Sequence, residues 1–459
     1  MEKKVIAEEK LKEKTRKLSI KEGCFYSVHD GFGLRYVTPY ALEIGKNNPY
    51  TNTYIGLLTS IPSLIGNLSQ LWTAKLMEKY SRKTLVRKGV MLQALMWLGV
   101  IFAGICFFIF HLNSNLSMII LLFFYTFLTL FGSIISPVWV SWMKDTVTSK
   151  NGEYFGRRNK IIGIVALSAM LIGGFILDYF KPTQIFFGFA VLFFISFISR
   201  STSGLLFKKH YETELKLNKE YYFSFKDFIR KIPTSNFAKF SLFAGLIIFA
   251  TSIASPFFSV YMLNNLNFNY IEWIIIIVSS ALSQILFMPI WGMFIDKYGR
   301  LKALQISGAL IPLVPLLWVT SKWIMNFHVL FAYLLAIEFL SGIAWAGFNL
   351  ASTNFIYAAI TRERTAICSA YFNVLQGIGI FVGATIGGII ASQNFIFIGL
   401  NSLLFIFLIS GILRIVIYIA MISKINEVKP VEKFNMKKSL NKFKKNSIQP
   451  FVEMFSFRK

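Results

Sequence analysis

Charged residues are scarce in this 459-residue sequence. Asp, Glu, Lys and Arg make up 15% of it and hydrophobic residues 55%, whereas soluble domains carry about 25% charged residues. Acidic residues are rarer than basic ones: the sequence has 22 Asp and Glu and 48 Lys and Arg. This composition excludes disordered, collagen-like and coiled-coil chains. It predicts a membrane protein if the apolar residues fall in runs of about 20.

Cysteine and histidine are also few. The three cysteines are an odd number without a pairing pattern, so we expect no disulfide framework and no metal site. The four histidines are scattered, and no G-x-x-x-x-G-K-[ST], H-E-x-x-H or G-x-S-x-G motif occurs. We therefore expect a protein that is not an enzyme, binds no cofactor and does not hydrolyse ATP.

The apolar residues do form runs, twelve of them, separated by short polar segments. Each run is long enough to cross a hydrocarbon core of about 30 Å as a helix, and none alternates like a transmembrane β-strand. The sequence thus predicts an all-α membrane protein with twelve transmembrane helices. The predicted spans are about 24–44, 51–74, 88–110, 117–142, 160–179, 184–206, 240–262, 272–294, 303–320, 327–356, 367–391 and 396–421.

Lysine and arginine are distributed unequally along this pattern. With the N-terminus inside, 42 of the 48 lie in the tails, in the inner loops or at the inner ends of spans, and only three lie in outer loops. This asymmetry predicts a multi-pass cell-membrane protein with both termini in the cytoplasm. It also explains the net charge of +26. We expect the basic cytoplasmic face to contact anionic lipid headgroups rather than nucleic acid. Arg200 and Arg414 lie inside spans, and we expect them to reach the inner membrane surface.

The chain contains an internal repeat. The segment A-K-L-M-E-K-Y-S-R at 74–82 matches G-M-F-I-D-K-Y-G-R at 292–300, at an offset of 218. A second set matches at an offset of 214: Asn159, Gly163, Gly173 and Gly174 with Asn373, Gly377, Gly387 and Gly388. Two halves of six spans, related as parallel repeats, are an architecture of secondary transporters.

The repeat and the polar segments between spans predict five parts of the chain. These are a cytoplasmic N-tail (1–22), an N-terminal six-helix bundle (23–207), a cytoplasmic linker (208–237), a C-terminal six-helix bundle (238–423) and a basic cytoplasmic C-tail (424–459).

The loop after span 8 resembles the signature loop of the major facilitator superfamily, roughly G-x-x-x-D-[RK]-x-G-R-[RK]. The matching residues are Gly292, Asp296, Lys297, Gly299 and Arg300. The first-half copy, usually the better one in the family, is degraded here to Ala74, Glu78, Lys79, Ser81, Arg82 and Lys83. The resemblance implies two six-helix bundles and a secondary active transporter of a small organic solute. Such a transporter works by alternating access, and a proton is the expected coupling ion.

The resemblance also implies a gating latch on the cytoplasmic side. In the family, a carboxylate at the end of helix 4 meets the loop arginine and holds the outward-facing state. Carried over, Arg82 and Asp145 form this pair, with Glu78 as a third member and Asp296 and Arg300 as the second-half residues. The alternative is a solvated turn that only obeys the positive-inside rule.

Three ionisable residues lie deeper in the predicted spans. A charge at mid-membrane costs at least ~2.5–3.5 kcal/mol, so it faces a cavity or a partner. The family fold implies that Asp30 and Arg35 (span 1) share a central cavity with Glu338 (span 10). A carboxylate would carry the proton and Arg35 would bind an anion; a structural ion pair is the alternative. On a continuous helix Asp30 and Arg35 lie ~140° apart, but Gly31 and Gly33 allow a break between them.

Uncharged polar residues occur on the same helices. Indole stacking and amide hydrogen bonds suit a sugar or another small polar solute, although helix–helix contacts are the alternative. We expect Trp142 at the membrane interface. The candidates for the substrate cavity are Trp139, Trp345, Asn349, Gln284, Asn373 and Gln376.

Two other functions fit this scaffold. A lipid flippase would need a large apolar lateral opening, whereas a non-transporting receptor or sensor would need a signalling segment that neither the linker nor the C-tail resembles. We expect a monomer whose partners are a small-molecule substrate, a coupling proton and membrane lipids. The sequence leaves open the solute, the direction of transport, the coupling ion and the oligomeric state.

Overall fold

The computed structural model describes residues 2–147, 151–212, 224–360, 364–393 and 395–428, and these are predominantly helical. One short antiparallel hairpin joins strands β1 (Ile396–Phe397) and β2 (Leu400–Asn401). The helices are α1 (Glu2–Phe32), α2 (Val37–Ile44), α3 (Thr51–Lys79), α4 (Arg82–Gly104), α5 (Ser114–Thr146), α6 (Asn151–Phe180), α7 (Ile185–Phe207), α8 (Phe225–Arg230), α9 (Asn236–Ala254), α10 (Phe257–Val260), α11 (Tyr270–Tyr298), α12 (Arg300–Leu310), α13 (Leu313–Thr320), α14 (Phe327–Ala359), α15 (Thr365–Ala391) and α16 (Ser402–Ile422).

The predicted membrane-spanning architecture is confirmed. Within the described residues, ten helical segments are long and apolar enough to cross a membrane, from Arg82–Ile109 to Ser402–Ile422. The two remaining predicted spans correspond to α1 with α2, and to α3. The chain is therefore an all-α, multi-pass membrane protein in which twelve helical segments follow the twelve apolar runs.

Several spans are broken. The first changes from α1 through a 3₁₀ turn at Leu34–Tyr36 into α2, and this break lies beside Gly33, one of the two glycines that allow it. A Cβ on Gly33 would lie 2.5 Å from the Trp97 ring, so only glycine permits this approach. Pro256 separates α9 from α10 and Pro312 separates α12 from α13, because proline cannot donate the helical hydrogen bond.

The chain divides into two compact units. The first comprises Met1–Tyr221, Ile248–Val278 and Ala370–Ile406, and the second comprises Tyr222–Ile247, Ser279–Ser369 and Phe407–Lys459. The core of the first unit includes a fully buried aromatic group in which Trp97 stacks on Phe193 and Tyr40 packs edge-on against Phe193. In the second unit, Phe240 stacks on Phe355.

The first unit thus contains helices from both halves of the chain. α3 and α15 approach so closely that a Cβ on Gly56 would lie 2.5 Å from the carbonyl oxygen of Ala384. The amide of Asn52 donates to the carbonyl of Ala391 over 2.8 Å. At the start of α11, the Asp178 carboxylate accepts hydrogen bonds from two backbone N–H groups, the first being that of Tyr270 at 2.8 Å. These contacts lie at the helix ends that are predicted to face outward.

The internal repeat is visible in matching contacts of the two halves. Glu212, just after α7, accepts from the backbone N–H of Lys83 at 3.3 Å, and Glu427, just after α16, accepts from that of Leu301 at 2.7 Å. Lys83 and Leu301 are 218 residues apart, the offset of the signature loops. A carboxylate at a helix N-terminus accepts hydrogen bonds from unpaired N–H groups and interacts favourably with the helix dipole. Each half therefore anchors its third span in the same way.

Candidate functional site

A cavity of about 510 Å³ lies within the first unit, among α1 and α3–α7. Its lining combines charged, amide, hydroxyl and aromatic side chains. The polar lining residues include Glu22, Gln70, Gln93, Ser133, Ser136, Arg158 and Arg200, and the aromatic ones are Tyr26, Tyr125, Trp139 and Phe207.

Three buried charges from three helices meet at this cavity. The Glu22 carboxylate of α1 lies 3.8 Å from Arg158 Nη2 of α6 and 3.7 Å from Arg200 Nη1 of α7. Glu22 is 3% exposed, Arg158 7% and Arg200 4%. Ser203 donates its hydroxyl to Glu22 Oε1 over 2.7 Å. Burying charge is expensive without partners, so this cluster fixes α1, α6 and α7 together.

Arg200 is held by further partners inside the bundle. Its Nε donates to Gln93 Oε1 over 2.7 Å, and its Nη1 donates to the Ser203 hydroxyl over 3.2 Å. Its guanidinium lies 5.1 Å from the centre of the Tyr26 ring. The expectation that Arg200 reaches the membrane surface was therefore wrong, because the bundle supplies a carboxylate and an amide that replace water.

The expectation for Arg414 was wrong for the same reason, whereas the position of Trp142 at the membrane interface stays a prediction. Arg414 is 2% exposed and donates to the carbonyl of Ile311 over 3.1 Å. The Trp142 indole is fully buried and donates to the carbonyl of Tyr211 over 2.9 Å. Arg414 thus finds its acceptor inside the second unit, and the acceptor of Trp142 lies just after the end of α7.

Arg158 stacks on an aromatic ring of the lining. Its guanidinium carbon lies 4.6 Å from the centre of the Trp139 ring, and its Nε donates to the carbonyl of Ser19 over 3.3 Å. Trp139, a candidate for the substrate cavity, thus forms part of the wall. A cation on an indole face is attracted by the ring quadrupole, so Trp139 and Ser19 fix the orientation of Arg158.

Asp30 and Arg35 come together despite their separation along the helix. Their closest oxygen and nitrogen lie 3.4 Å apart, with Asp30 21% and Arg35 50% exposed. The break between α1 and α2 brings them onto one side. Among the described residues, Leu34 rather than either member of the pair lines the cavity.

The other predicted cavity residues are divided between the units. Asn373 donates to Gln70 of the lining over 2.8 Å, and half-buried Gln376 follows it on α15. Glu338, in the second unit, accepts from the Trp318 indole over 3.1 Å. Also in the second unit are half-buried Gln284, Trp345 with its edge against Phe348, and exposed Asn349.

The proposed latch residues lie at the predicted cytoplasmic ends of the helices. Arg82 Nη1 contacts Asp145 Oδ2 at 2.7 Å, and Arg82 is 1% exposed whereas Asp145 is 42% exposed. Glu78 is exposed at the end of α3. In the second half, Asp296 is exposed, and Arg300 is 3.9 Å from the carboxylate of a residue that the sequence did not single out, Glu427.

Sequence reasoning missed the three charges of the cavity. Glu22 was assigned to the tail, Arg158 to an inner loop and Arg200 to the membrane surface. A signal was present, because Arg200 and Arg414 are 214 residues apart, the offset of the second repeat match. Their partners Gln93 and Ile311 are 218 apart, the offset of the first. A buried cation at equivalent places of both halves indicates a structural position rather than a chance charge.

The residues that the structure describes contain no group of three or more His, Cys, Asp or Glu side chains that could hold an ion.

The Major Facilitator Superfamily profile matches residues 25–239 and 240–457. The "proton-coupled antiporter flippase LtaA" of Staphylococcus aureus (strain USA300) is 24% identical over 266 residues, which cover 56% of this chain and 62% of that relative. The match thus spans less than two thirds of the relative's length.

Solved structures share the fold. The nucleoside transporter NupG superposes with a TM-score of 0.65 at 14% identity, over 90% of this chain and 98% of that one. A D-xylose-proton symporter superposes with a TM-score of 0.70 at 10% identity, over 91% of this chain and 99% of that one. At such identities the likeness concerns the fold alone.

Proposed function

The chain belongs to the major facilitator superfamily, and on this basis we propose that it is a secondary active transporter of a small organic solute. The observation that carries the proposal is the cavity of about 510 Å³, lined by Glu22, Arg158 and Arg200 inside a membrane-spanning bundle. Ionisable residues inside a membrane are expensive and mark substrate or ion pathways by default. Two halves of six spans suit alternating access around such a site.

We further propose that a proton drives transport and that Asp30 carries it. Asp30 lies 3.4 Å from the cationic Arg35, and both side chains are partly exposed. A carboxylate between a guanidinium and water can change protonation when access to it changes. Glu338, which the Trp318 indole contacts at 3.1 Å, is the alternative carrier.

Flux in proteoliposomes tests this proposal. The purified chain is given a panel of labelled nucleosides, sugars and organic acids, with and without an inward proton gradient. We expect Asp30→Asn to abolish gradient-driven accumulation and to retain exchange, with Glu338→Gln as the matched variant. Full accumulation by Asp30→Asn moves the proton to Glu338. A variant that loses only expression or thermal stability marks Asp30 as a structural partner of Arg35.

The orientation in the membrane is a proposal of the same kind. The excess of lysine and arginine in the tails and predicted inner loops supports cytoplasmic termini. Reporter fusions at residues 220 and 266 should report opposite compartments, and one compartment for both would overturn the span order.

A lipid flippase is the second candidate, because a relative described as a proton-coupled antiporter flippase matches 266 residues. A fluorescent glycolipid in the same proteoliposomes, quenched from outside with dithionite, distinguishes the two functions. Complete quenching without solute flux would favour the flippase. The charged lining of the cavity favours the transport of a solute instead. A chain that moves neither would favour a receptor or sensor.

A further inference from the structure

The cavity of the first unit carries more positive than negative charge. Its charged lining residues are Arg158, Arg200 and Glu22, each more than nine-tenths buried. Two guanidiniums therefore face one carboxylate. The nearby Asp30–Arg35 pair adds no net charge. An unbalanced buried cation is costly in a low-dielectric interior, so a bound anion would complete the cluster.

The geometry leaves donors free for such an anion. The contacts of Glu22 with the two arginines are 3.7 and 3.8 Å long, whereas direct N–H···O hydrogen bonds are about 2.7–3.2 Å. The carboxylate takes its short hydrogen bond from Ser203 instead, at 2.7 Å. Gln93 and the carbonyl of Ser19 bind the Nε atoms, and Ser203 accepts from Arg200 Nη1. The other terminal guanidinium N–H groups remain for a ligand.

The walls beside the two cations are aromatic. Trp139 lies under the Arg158 guanidinium at 4.6 Å and Tyr26 under that of Arg200 at 5.1 Å, while Tyr125 also lines the cavity. Stacking holds the planar guanidiniums in orientations that suit a carboxylate, sulfonate or phosphate oxygen pair. The same rings offer apolar area to the body of a small molecule.

We propose that the cavity binds a monovalent organic anion with a flat, apolar body, whose acidic group lies between Arg158 and Arg200. The inference rests on the proposed transporter function and names the substrate class of that same site. Glu22 competes with the ligand, because its carboxylate lies beside both arginines when no ligand is bound. A neutral glutamine at position 22 leaves both arginines to the ligand.

Calorimetric titration of the detergent-purified full chain tests the site, with 1-naphthoate as the probe and 1-naphthalenemethanol as its neutral match. We expect binding of naphthoate only. Arg158→Gln and Arg200→Gln should each weaken it by roughly tenfold or more, because each removes charge-assisted hydrogen bonds. Glu22→Gln should bind more tightly than the unaltered chain, a gain that misfolding cannot produce. Arg414→Gln, which removes the equivalent buried arginine of the second half, should bind naphthoate unchanged.

The outcomes separate the site from the transport function. Equal binding of the alcohol and the acid, or unchanged naphthoate binding in Arg200→Gln and Glu22→Gln, would overturn the anion site. Radiolabelled naphthoate is then used for counterflow in proteoliposomes. Binding without counterflow would leave the anion site intact and contradict the proposed transport. Flux of a neutral sugar without any binding of naphthoate would contradict the anion site and leave the proposed transport function intact.

Discussion

At the scale of single residues, backbone geometry separates the two glycines of the second signature loop. Gly299 has φ 89° and ψ 167°, a region that residues with a Cβ rarely adopt. Gly292 lies inside α11, where an added Cβ would meet only Leu350, at 3.9 Å. Both glycines match the signature loop, but backbone geometry requires glycine at position 299 alone.

We therefore predict opposite effects of alanine at these two sites. Gly299→Ala should lower the stability by about 1–3 kcal/mol, the cost of holding a residue with a Cβ in a sparsely populated backbone region. Gly292→Ala should be neutral or stabilising, because alanine favours a helix over glycine by ~0.5–1 kcal/mol. Apparent unfolding temperatures in detergent measure both. Equal shifts in the two variants would show that φ at 299 does not matter.

The sequence predicted the partners of only some of the buried charged residues. The sequence indicated that Asp30 and Arg35 need a break to meet, and the structure has that break. It did not indicate that Glu22 would meet Ser203, 181 residues away. Hydropathy shows that a charge inside a span needs a partner, but it does not show which helices bring the partner.

At the scale of elements, α7 ends beside a buried imidazole. His210 follows the helix, lies 5.0 Å from the ring of Phe207 and 5.6 Å from that of Trp142, and is 1% exposed. Burial lowers the pKa of His210 to about 4, and the nearby Lys83 ammonium acts in the same direction. The neutral ring is thus the form that the fold accepts.

The sign of the resulting pH dependence is defined. The imidazole of an unfolded chain has a pKa of about 6.5, so between pH 6.5 and 4 the unfolded state binds more protons at His210 than the folded state. Its contribution to stability is complete above pH 6.5 and decreases as the pH falls. By pH 5 the total loss is about 2 kcal/mol.

We predict that His210→Phe reduces this acid sensitivity. Phenylalanine keeps the ring contacts with Phe207 and Trp142 and removes the titrating group. The apparent unfolding temperature of the unaltered chain should fall more between pH 7 and 5 than that of the variant. The other three histidines are common to both proteins and serve as the internal control. Parallel pH profiles would show that His210 is protonated without cost in the folded state.

At the scale of the whole molecule, hydropathy and repeats predicted most of the fold. Twelve apolar runs and two repeat matches at nearly equal offsets were sufficient for the helix count and the family resemblance. The cavity could not be predicted in the same way, because its wall is formed by residues as far apart in sequence as Glu22 and Arg200. The association of α15 with α3, through Asn373 and Gln70, likewise depends on tertiary packing that span patterns do not encode.

The latch between Arg82 and Asp145 is expected to affect the balance between the outward-facing and inward-open conformations. Arg82 joins the start of α4 to the end of α5 through Asp145 at 2.7 Å and Ser141 at 3.2 Å. This pair is present in a structure in which α3 and α15 touch at their predicted outer ends. Ion pairs with one exposed partner contribute ~0–1 kcal/mol. A near-balanced equilibrium responds to such a difference, because 1 kcal/mol changes a population ratio about fivefold.

We predict that Arg82→Ala shifts the population toward the inward-open state. A cysteine replacing Ser136 in the cavity wall, in a chain without its native cysteines, reports the change. An impermeant maleimide applied from the cytoplasmic side should label this cysteine up to about fivefold faster in Arg82→Ala, since the population ratio follows the lost pair energy. Asp145→Asn should act alike, and the double variant should add nothing further if the two residues act only on each other. Unchanged labelling in all three variants would mean that the pair ties α4 to α5 in every state and does not gate access.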